Sequence, residues 1–247
     1  MNKNTVFAIG DIHGCYNELN ILLKEWNPEN EQLVLLGDLV DRGENPFNVV
    51  QKAIQLQKEY EAIVLLGNHE RMLLDWLEQP EFKKDYYYGQ GGYETINSFF
   101  GNDITNHKEA DEIANLMKIQ FESELKFLES RPLYYEWEDF VFVHAGVNLN
   151  IEDWKNTSER EFYWIRDEFH FGNNETNKTF IFGHTPTSIL HKTENKFDIW
   201  TSPCNTKVCI DGGAVYGGFL HGMKVNKEGI VTTHSILSKS GASKYKV

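Results

Sequence analysis

The chain has 247 residues, 40% hydrophobic and 25% charged, and its 37 Asp and Glu outnumber 24 Lys and Arg for a formal charge of −13. This length suits one large α/β domain with room for an insertion, and the acidic balance argues against a nucleic-acid backbone as the main partner. No run approaches the roughly 18 apolar residues of a membrane span, and the start MNKNTVFAIG is too polar for a secretory leader. The cysteines Cys15, Cys204 and Cys209 make neither a CxxC pair nor a disulfide framework. A cytoplasmic protein is expected, with no membrane or nucleic-acid partner and no partner subunit evident.

Residues 6–9 (VFAI) form an apolar run that delivers Gly10, Asp11, Ile12, His13 and Gly14 at its end. Tyr16, Leu19, Leu22, Leu23 and Trp26 then recur at helical spacing until Pro28. Residues 33–36 (LVLL) show no polar alternation, the mark of a strand buried on both faces, and run into Gly37 and Asp38, with Asp41, Arg42 and Gly43 just beyond. A second helical stripe, Val49, Val50, Ala53 and Ile54, precedes the run 63–66 (IVLL). That run feeds Gly67, Asn68, His69 and Glu70, then a helix carrying Met72, Leu73, Trp76 and Leu77. This βαβαβ order predicts parallel strands joined by right-handed crossovers.

Residues 80–131 break the rhythm and read as a helical insertion within a single domain spanning residues 1–247. Inside it, residues 86–92 (YYYGQGG) read as a loop whose tyrosines form a packing patch more readily than a substrate rim. Ile113, Leu116, Met117, Phe121, Leu125 and Leu128 then mark one long helix. Short strands are expected at 133–137, 140–143, 179–182 and 207–210, followed by a glycine-rich meander over 212–225. Two of these runs deliver His144-Ala145-Gly146 and Gly183-His184-Thr185-Pro186. With each half supplying a sheet, the expected fold is α/β, two mixed β-sheets packed as a central sandwich flanked by helices.

Five apolar strands therefore each end in Asp, His or Asn, at the carboxyl ends where open α/β sheets collect ligands. Any one of these residues could be a turn-former or a satisfied core group; together they read as a site. Asp11, His13, Asp38, Asn68, His144 and His184 offer carboxylates, imidazoles and an amide without a thiolate, a set suited to manganese, iron or zinc. So many donors exceed one open catalytic site but suffice for two ions bridged by Asp38. Two ions about 3.5–4 Å apart can hold a bridging hydroxide as nucleophile, since coordination lowers the pKa of water from about 15.7 towards ~7, and can clamp phosphoryl oxygens.

In this order GDIHG, GDLVDRG, GNHE, HAG and GHTP resemble the motifs of the calcineurin-like metallophosphoesterases. Within them they are similar to the phosphoprotein phosphatases, particularly the bacterial and phage-lambda-type serine/threonine phosphatases. The resemblance runs from residue 7 to about residue 218. It implies the calcineurin-like metallophosphoesterase fold and two divalent ions per chain, manganese foremost. Asp11 and His13 would bind the first ion, Asp38 would bridge, and Asn68, His144 and His184 would bind the second. It also implies His69 as general acid with Asp41 as its carboxylate partner, and Arg42 and Arg166 as holders of phosphoryl oxygens. The chemistry of the residues agrees, because a positioned imidazole that protonates a poor leaving group contributes about 10²–10⁴-fold. A planar guanidinium also matches two phosphoryl oxygens where a lysine would not. Glu70 reads as a helix-start carboxylate favoured by the dipole, and Cys15 as a small buried filler.

The expected activity is hydrolysis of phosphomonoesters, foremost phosphoserine and phosphothreonine in proteins, with a phosphorylated protein or small phosphoester as partner. One departure is Leu66, which stands where many protein phosphatases of the family carry an arginine before GNHE. The alternative is a bis(5'-nucleosyl)-tetraphosphatase acting on dinucleoside polyphosphates. A non-catalytic phospho-ligand binding protein fits less well, since the set of ligands, His69 and Arg42 is complete.

Overall fold

The computed structural model describes residues 3–239. Strands β1 (Thr5–Ile9), β2 (Glu31–Leu35) and β3 (Ile63–Val64) lie side by side and parallel, with helices α1 (Tyr16–Leu22) and α2 (Pro46–Tyr60) in the crossovers. Pro46 opens α2, where a missing N–H costs nothing, and Glu61 closes it in the left-handed conformation. Helix α3 (Asn68–Glu78) springs from the mouth of β3.

Residues 80–131 hold α4 (Pro80–Tyr87), α5 (Tyr93–Phe100), α6 (Ala110–Gln120) and α7 (Glu122–Glu129). Two sequence expectations are corrected here. The tyrosine–glycine segment is not a loop: it continues α4 as a π-helical turn, Tyr88–Gly92. Gly91 takes φ 101°, a non-helical conformation that kinks the chain between α4 and α5, and its carbonyl accepts a 3.1 Å hydrogen bond from Arg42 N. The expected single long helix is two, because Phe121 leaves helical geometry (φ −122°, ψ 31°) and packs its ring against Phe47, Phe99 and Phe100.

The second sheet holds β4 (Tyr134–Trp137), β5 (Phe140–Val143), β6 (Thr179–Phe182), β7 (Trp200–Thr201) and β8 (Lys207–Cys209) in the order β4-β5-β6-β8-β7. Its inner strands β5, β6 and β8 are parallel. Short helices α8 (Glu159–Trp164), α9 (Asp167–His170) and α10 (Thr187–His191) complete this half. The final hairpin, β9 (Phe219–Asn226) and β10 (Gly229–Leu237), returns to the first sheet, whose order is β10-β9-β1-β2-β3. The two halves therefore do not each supply their own sheet. Without the hairpin, β1 would expose an unpaired edge, and β9 instead aligns Val225 and Met223 with Val6 and Ala8.

The layers explain the unbroken apolar runs. Val6, Ala8, Val34 and Leu36 meet Phe142, Ile181, Val208 and Ile210 between the sheets. Alternate residues Phe7, Ile9, Leu33 and Leu35 face the helices instead. Each such fully buried side chain contributes roughly 1.5–3 kcal/mol. The fold is two mixed β-sheets flanked by helices, with helical insertions, and no helix among the described residues is long and apolar enough to cross a membrane.

Candidate active site and metal centre

Asp38 stands at the centre of the strand mouths. Its Oδ2 lies 3.4 Å from His13 Nε2 and 4.0 Å from His69 Nε2, and its Oδ1 lies 3.4 Å from His144 Nε2. Donor atoms of His13, Asp38 and His69 fall within 4.8 Å of one another, and so do those of Asp38, His144 and His184. Two candidate metal-binding triads thus share one carboxylate, which suggests a binuclear centre. Asn68 presents Oδ1 to the second triad, 2.9 Å from His144 Nε2 and 2.7 Å from His184 Nδ1. Asp11 lies beside both triads rather than in either, its two oxygens accepting from His184 N at 3.1 and 3.0 Å.

The backbone that holds these side chains is strained. Of eleven described non-glycine residues with positive φ, five are His13, Asp38, Asp41, Arg42 and His184. Such conformations cost of order 1–3 kcal/mol each and persist where the surroundings impose them. Glu70 supplies much of that imposition. Fully buried, it accepts from Gly67 N and Asp38 N at 2.9 Å, from Leu39 N at 2.7 Å and from Val40 N at 3.3 Å. It is the helix-start carboxylate expected, and it also staples the Asp38 loop to α3. Gly183 is required for a different reason, since a Cβ there would overlap the Asp11 carboxylate.

The donor chemistry fits cations. His144 Nδ1 lies 2.8 Å from the Leu36 carbonyl and must donate to it. Burial lowers His144 to about 4, so its Nε2 is an unprotonated acceptor facing the acceptor Asn68 Oδ1. A cation shared by these two atoms would satisfy both as acceptors. His184 Nε2 is buried with no hydrogen-bond partner. Desolvation by burial raises Asp11, moves Asp38 to about 7 and moves Asp211 to about 6, with mutual repulsion adding to the rise of Asp11 and Asp211. Three buried acids this close call for cationic charge. Bound divalent ions would supply Lewis-acid polarisation of phosphoryl oxygens and a lowered pKa for an attacking water. His13 Nδ1 donates to the Val40 carbonyl at 2.8 Å, which turns Nε2 inward, where Arg42 Nη1 donates to it at 2.8 Å. Backbone anchors of this kind fix the tautomer and orientation of a ligand imidazole.

The Asp41–His69 pair is formed, with Oδ2 and Nδ1 2.7 Å apart. Asp41 Oδ1 accepts from Tyr87 Oη at 2.9 Å and Thr95 Oγ1 at 2.6 Å. The insertion therefore reaches into the site and holds the carboxylate, a function for Tyr87 that its packing role did not foretell. The pairing agrees with expectation, but the charge does not follow from it. Burial first, then Arg42 and the neighbouring histidines, pushes His69 well below its usual range, while burial pushes Asp41 up. Both shifts disfavour separated charges, so the imidazole is neutral in the protein alone, with Nε2 turned towards Asp38.

Arg42 also lies with its guanidinium carbon 5.5 Å from the centre of the Tyr216 ring. Arg166 is exposed and donates from Nη1 to Thr185 Oγ1 at 2.8 Å, next to His184. Asp211, Tyr216 and Trp164 were not picked out from the sequence. Asp211 had a readable signal, because Val208-Cys209-Ile210 runs into Asp211-Gly212 just as the other strands run into their motifs. Tyr216 and Trp164 had none.

A nucleus of acids and imidazoles at the mouths of two packed sheets forms a candidate binuclear metal site suited to a metal-dependent phosphoesterase. The chain belongs to the calcineurin-like phosphoesterase family, whose sequence model matches residues 5–210. It is 26% identical to the asymmetrical bis(5'-nucleosyl)-tetraphosphatase PrpE of Anoxybacillus flavithermus, over 87% of this chain and 88% of that protein. It is 27% identical to serine/threonine-protein phosphatase 2 of Salmonella typhimurium, over 89% of this chain and 92% of that one. The crystal structure of a candidate diadenosine tetraphosphatase superposes with a TM-score of 0.65 at 20% identity, covering 97% of this chain and 96% of the other.

Proposed function

We propose that the chain is a two-metal hydrolase of dinucleoside polyphosphates. The observation that carries this reading is that tetraphosphatases recur more often than protein phosphatases among the similar proteins, that of Anoxybacillus flavithermus matching over 87% of this chain and 88% of its own length. It reverses the order that the motifs alone favour, in which a phosphoserine phosphatase comes first. Leu66 supports the reversal: it is buried and its N–H is occupied by the Pro132 carbonyl at 2.9 Å, so no cation for a protein-borne phosphate stands there.

In this reading Asp11, His13, Asp38, Asn68, His144 and His184 hold two divalent ions, manganese foremost, with iron or zinc as alternatives. Arg42 and Arg166 hold the phosphoryl oxygens in line for attack. His69 delivers a proton from Nε2 to the leaving oxygen, and Asp41 orients its ring. The negative charge of the substrate counters only the part of the His69 depression that Arg42 causes, while burial, its largest cause, remains. Residues 80–131 serve the single domain by bracing Asp41 and the Arg42 backbone.

The second reading, a serine/threonine phosphatase, draws support from the Salmonella typhimurium relative and from the 2.7 Å Asp41–His69 contact. A positioned proton donor matters most for an alkoxide, and less for a nucleotide that leaves with a low pKa. The test is kcat/KM for diadenosine tetraphosphate against a phosphoserine peptide at one pH with one metal. We expect the dinucleotide to lead by at least ~10-fold, about 1.4 kcal/mol of transition-state stabilisation. A lead for the peptide would pass the assignment to the second reading.

A further inference from the structure

A cleft of about 340 Å³ opens beside the centre, lined by Asn148, Asn150, Arg160, Trp164, Arg166 and Glu168 among others. That volume lies in the range of small-molecule sites. Trp164 ends α8, and its indole meets the His184 ring edge-on, with centroids 5.5 Å apart and planes at 90°. The same residue lines the cleft, so one aromatic side chain joins the metal centre to the cavity. Arg166 makes the same connection: it touches Thr185, its charge bears on Asp38, His144 and His184, and it forms part of the cleft wall. Between them Ile165 is buried and extended (φ −60°, ψ 145°), which holds the tryptophan and the arginine on the cavity side.

We infer that this cleft is the nucleoside subsite, in which the base stacks on Trp164 while Arg160 and Arg166 receive the intervening phosphates. The inference rests on the dinucleotide reading above. An aromatic surface is suited to any base, because every base has a π-face. Asn150 at the rim adds an amide of the kind that pairs with an adenine edge. Glu168 offers an acceptor for a ribose hydroxyl. A chain of phosphates leading from the metal centre along Arg166 would reach these groups in sequence.

The experiment uses the metal-loaded protein and the variants Trp164→Leu, Trp164→Phe and Arg160→Ala. It measures kcat/KM for diadenosine tetraphosphate, for an aryl phosphate and for a phosphoserine peptide, together with inhibition of aryl phosphate turnover by AMP. Trp164→Leu should lower the dinucleotide-to-aryl ratio by at least ~10-fold, about 1.4 kcal/mol, and weaken AMP inhibition in parallel. Trp164→Phe should retain most of both. Arg160→Ala, at an exposed position, should lower the ratio several-fold even if Trp164→Leu fails to fold. A parent that prefers the dinucleotide while these variants leave the ratio unchanged would overturn the subsite and keep the hydrolase reading. A parent that does not prefer the dinucleotide would overturn that reading and the subsite with it, and selective loss of peptide turnover in Trp164→Leu would give the cleft to a peptide.

Discussion

Asp38→Asn should release both divalent ions and lower kcat/KM by at least ~10³-fold, about 4 kcal/mol. The two oxygens of Asp38 face different triads, 3.4 Å from His13 on one side and from His144 on the other. An amide keeps the shape but loses the charge that lets two cations stand together. The fold should survive the change. Asn tolerates the left-handed conformation that position 38 adopts at φ 50°, and its carbonyl can still accept from His69 N, as Oδ1 does at 3.0 Å. Metal analysis and a thermal melt on the same preparation separate these effects. A folded variant that still carries two ions and works within ~10-fold of the parent would remove Asp38 from the bridge.

His69→Asn carries the second large effect, and its size should depend on the leaving group. Loss of a general acid costs about 10²–10⁴-fold where a poor alkoxide departs and much less for an acidic phenol or a nucleotide. The structure gives His69 two possible duties, because Nδ1 is held by Asp41 while Nε2 sits 4.0 Å from Asp38 within the first triad. As a proton donor, His69 can be lost without loss of metal. As a ligand, its removal should empty one site and slow all substrates alike. We expect retained metal and a steep dependence on leaving-group pKa. A flat dependence together with a missing ion would make His69 a ligand instead.

The strand-end motifs were legible because each couples a short apolar run to a glycine and a polar residue. Burial on both faces removes the alternation that would otherwise hide where a strand stops. Asp11, His13, Asp38, Asn68, His144 and His184 lie together in one buried place. Long-range choices were not legible. Nothing local in residues 219–237 says that this hairpin pairs with β1 rather than with the second sheet. Glycines near residue 90 read as a loop, yet the helical path runs up to a kink at Gly91, which is pressed against Arg42. Tyr87 and Thr95 reach Asp41 across 46 and 54 residues of chain, a contact that only packing reveals. Charge was harder still: the motif resemblance implied the Asp41–His69 pair, while burial decided which way its proton affinity moves.

The most direct test of the two-ion centre is a titration of chelator-stripped protein with manganese, following bound metal and turnover of diadenosine tetraphosphate together. Shared coordination through Asp38 predicts that turnover rises to its plateau only as the second equivalent binds. A plateau reached at one equivalent, or full turnover with chelator still in excess, would contradict it.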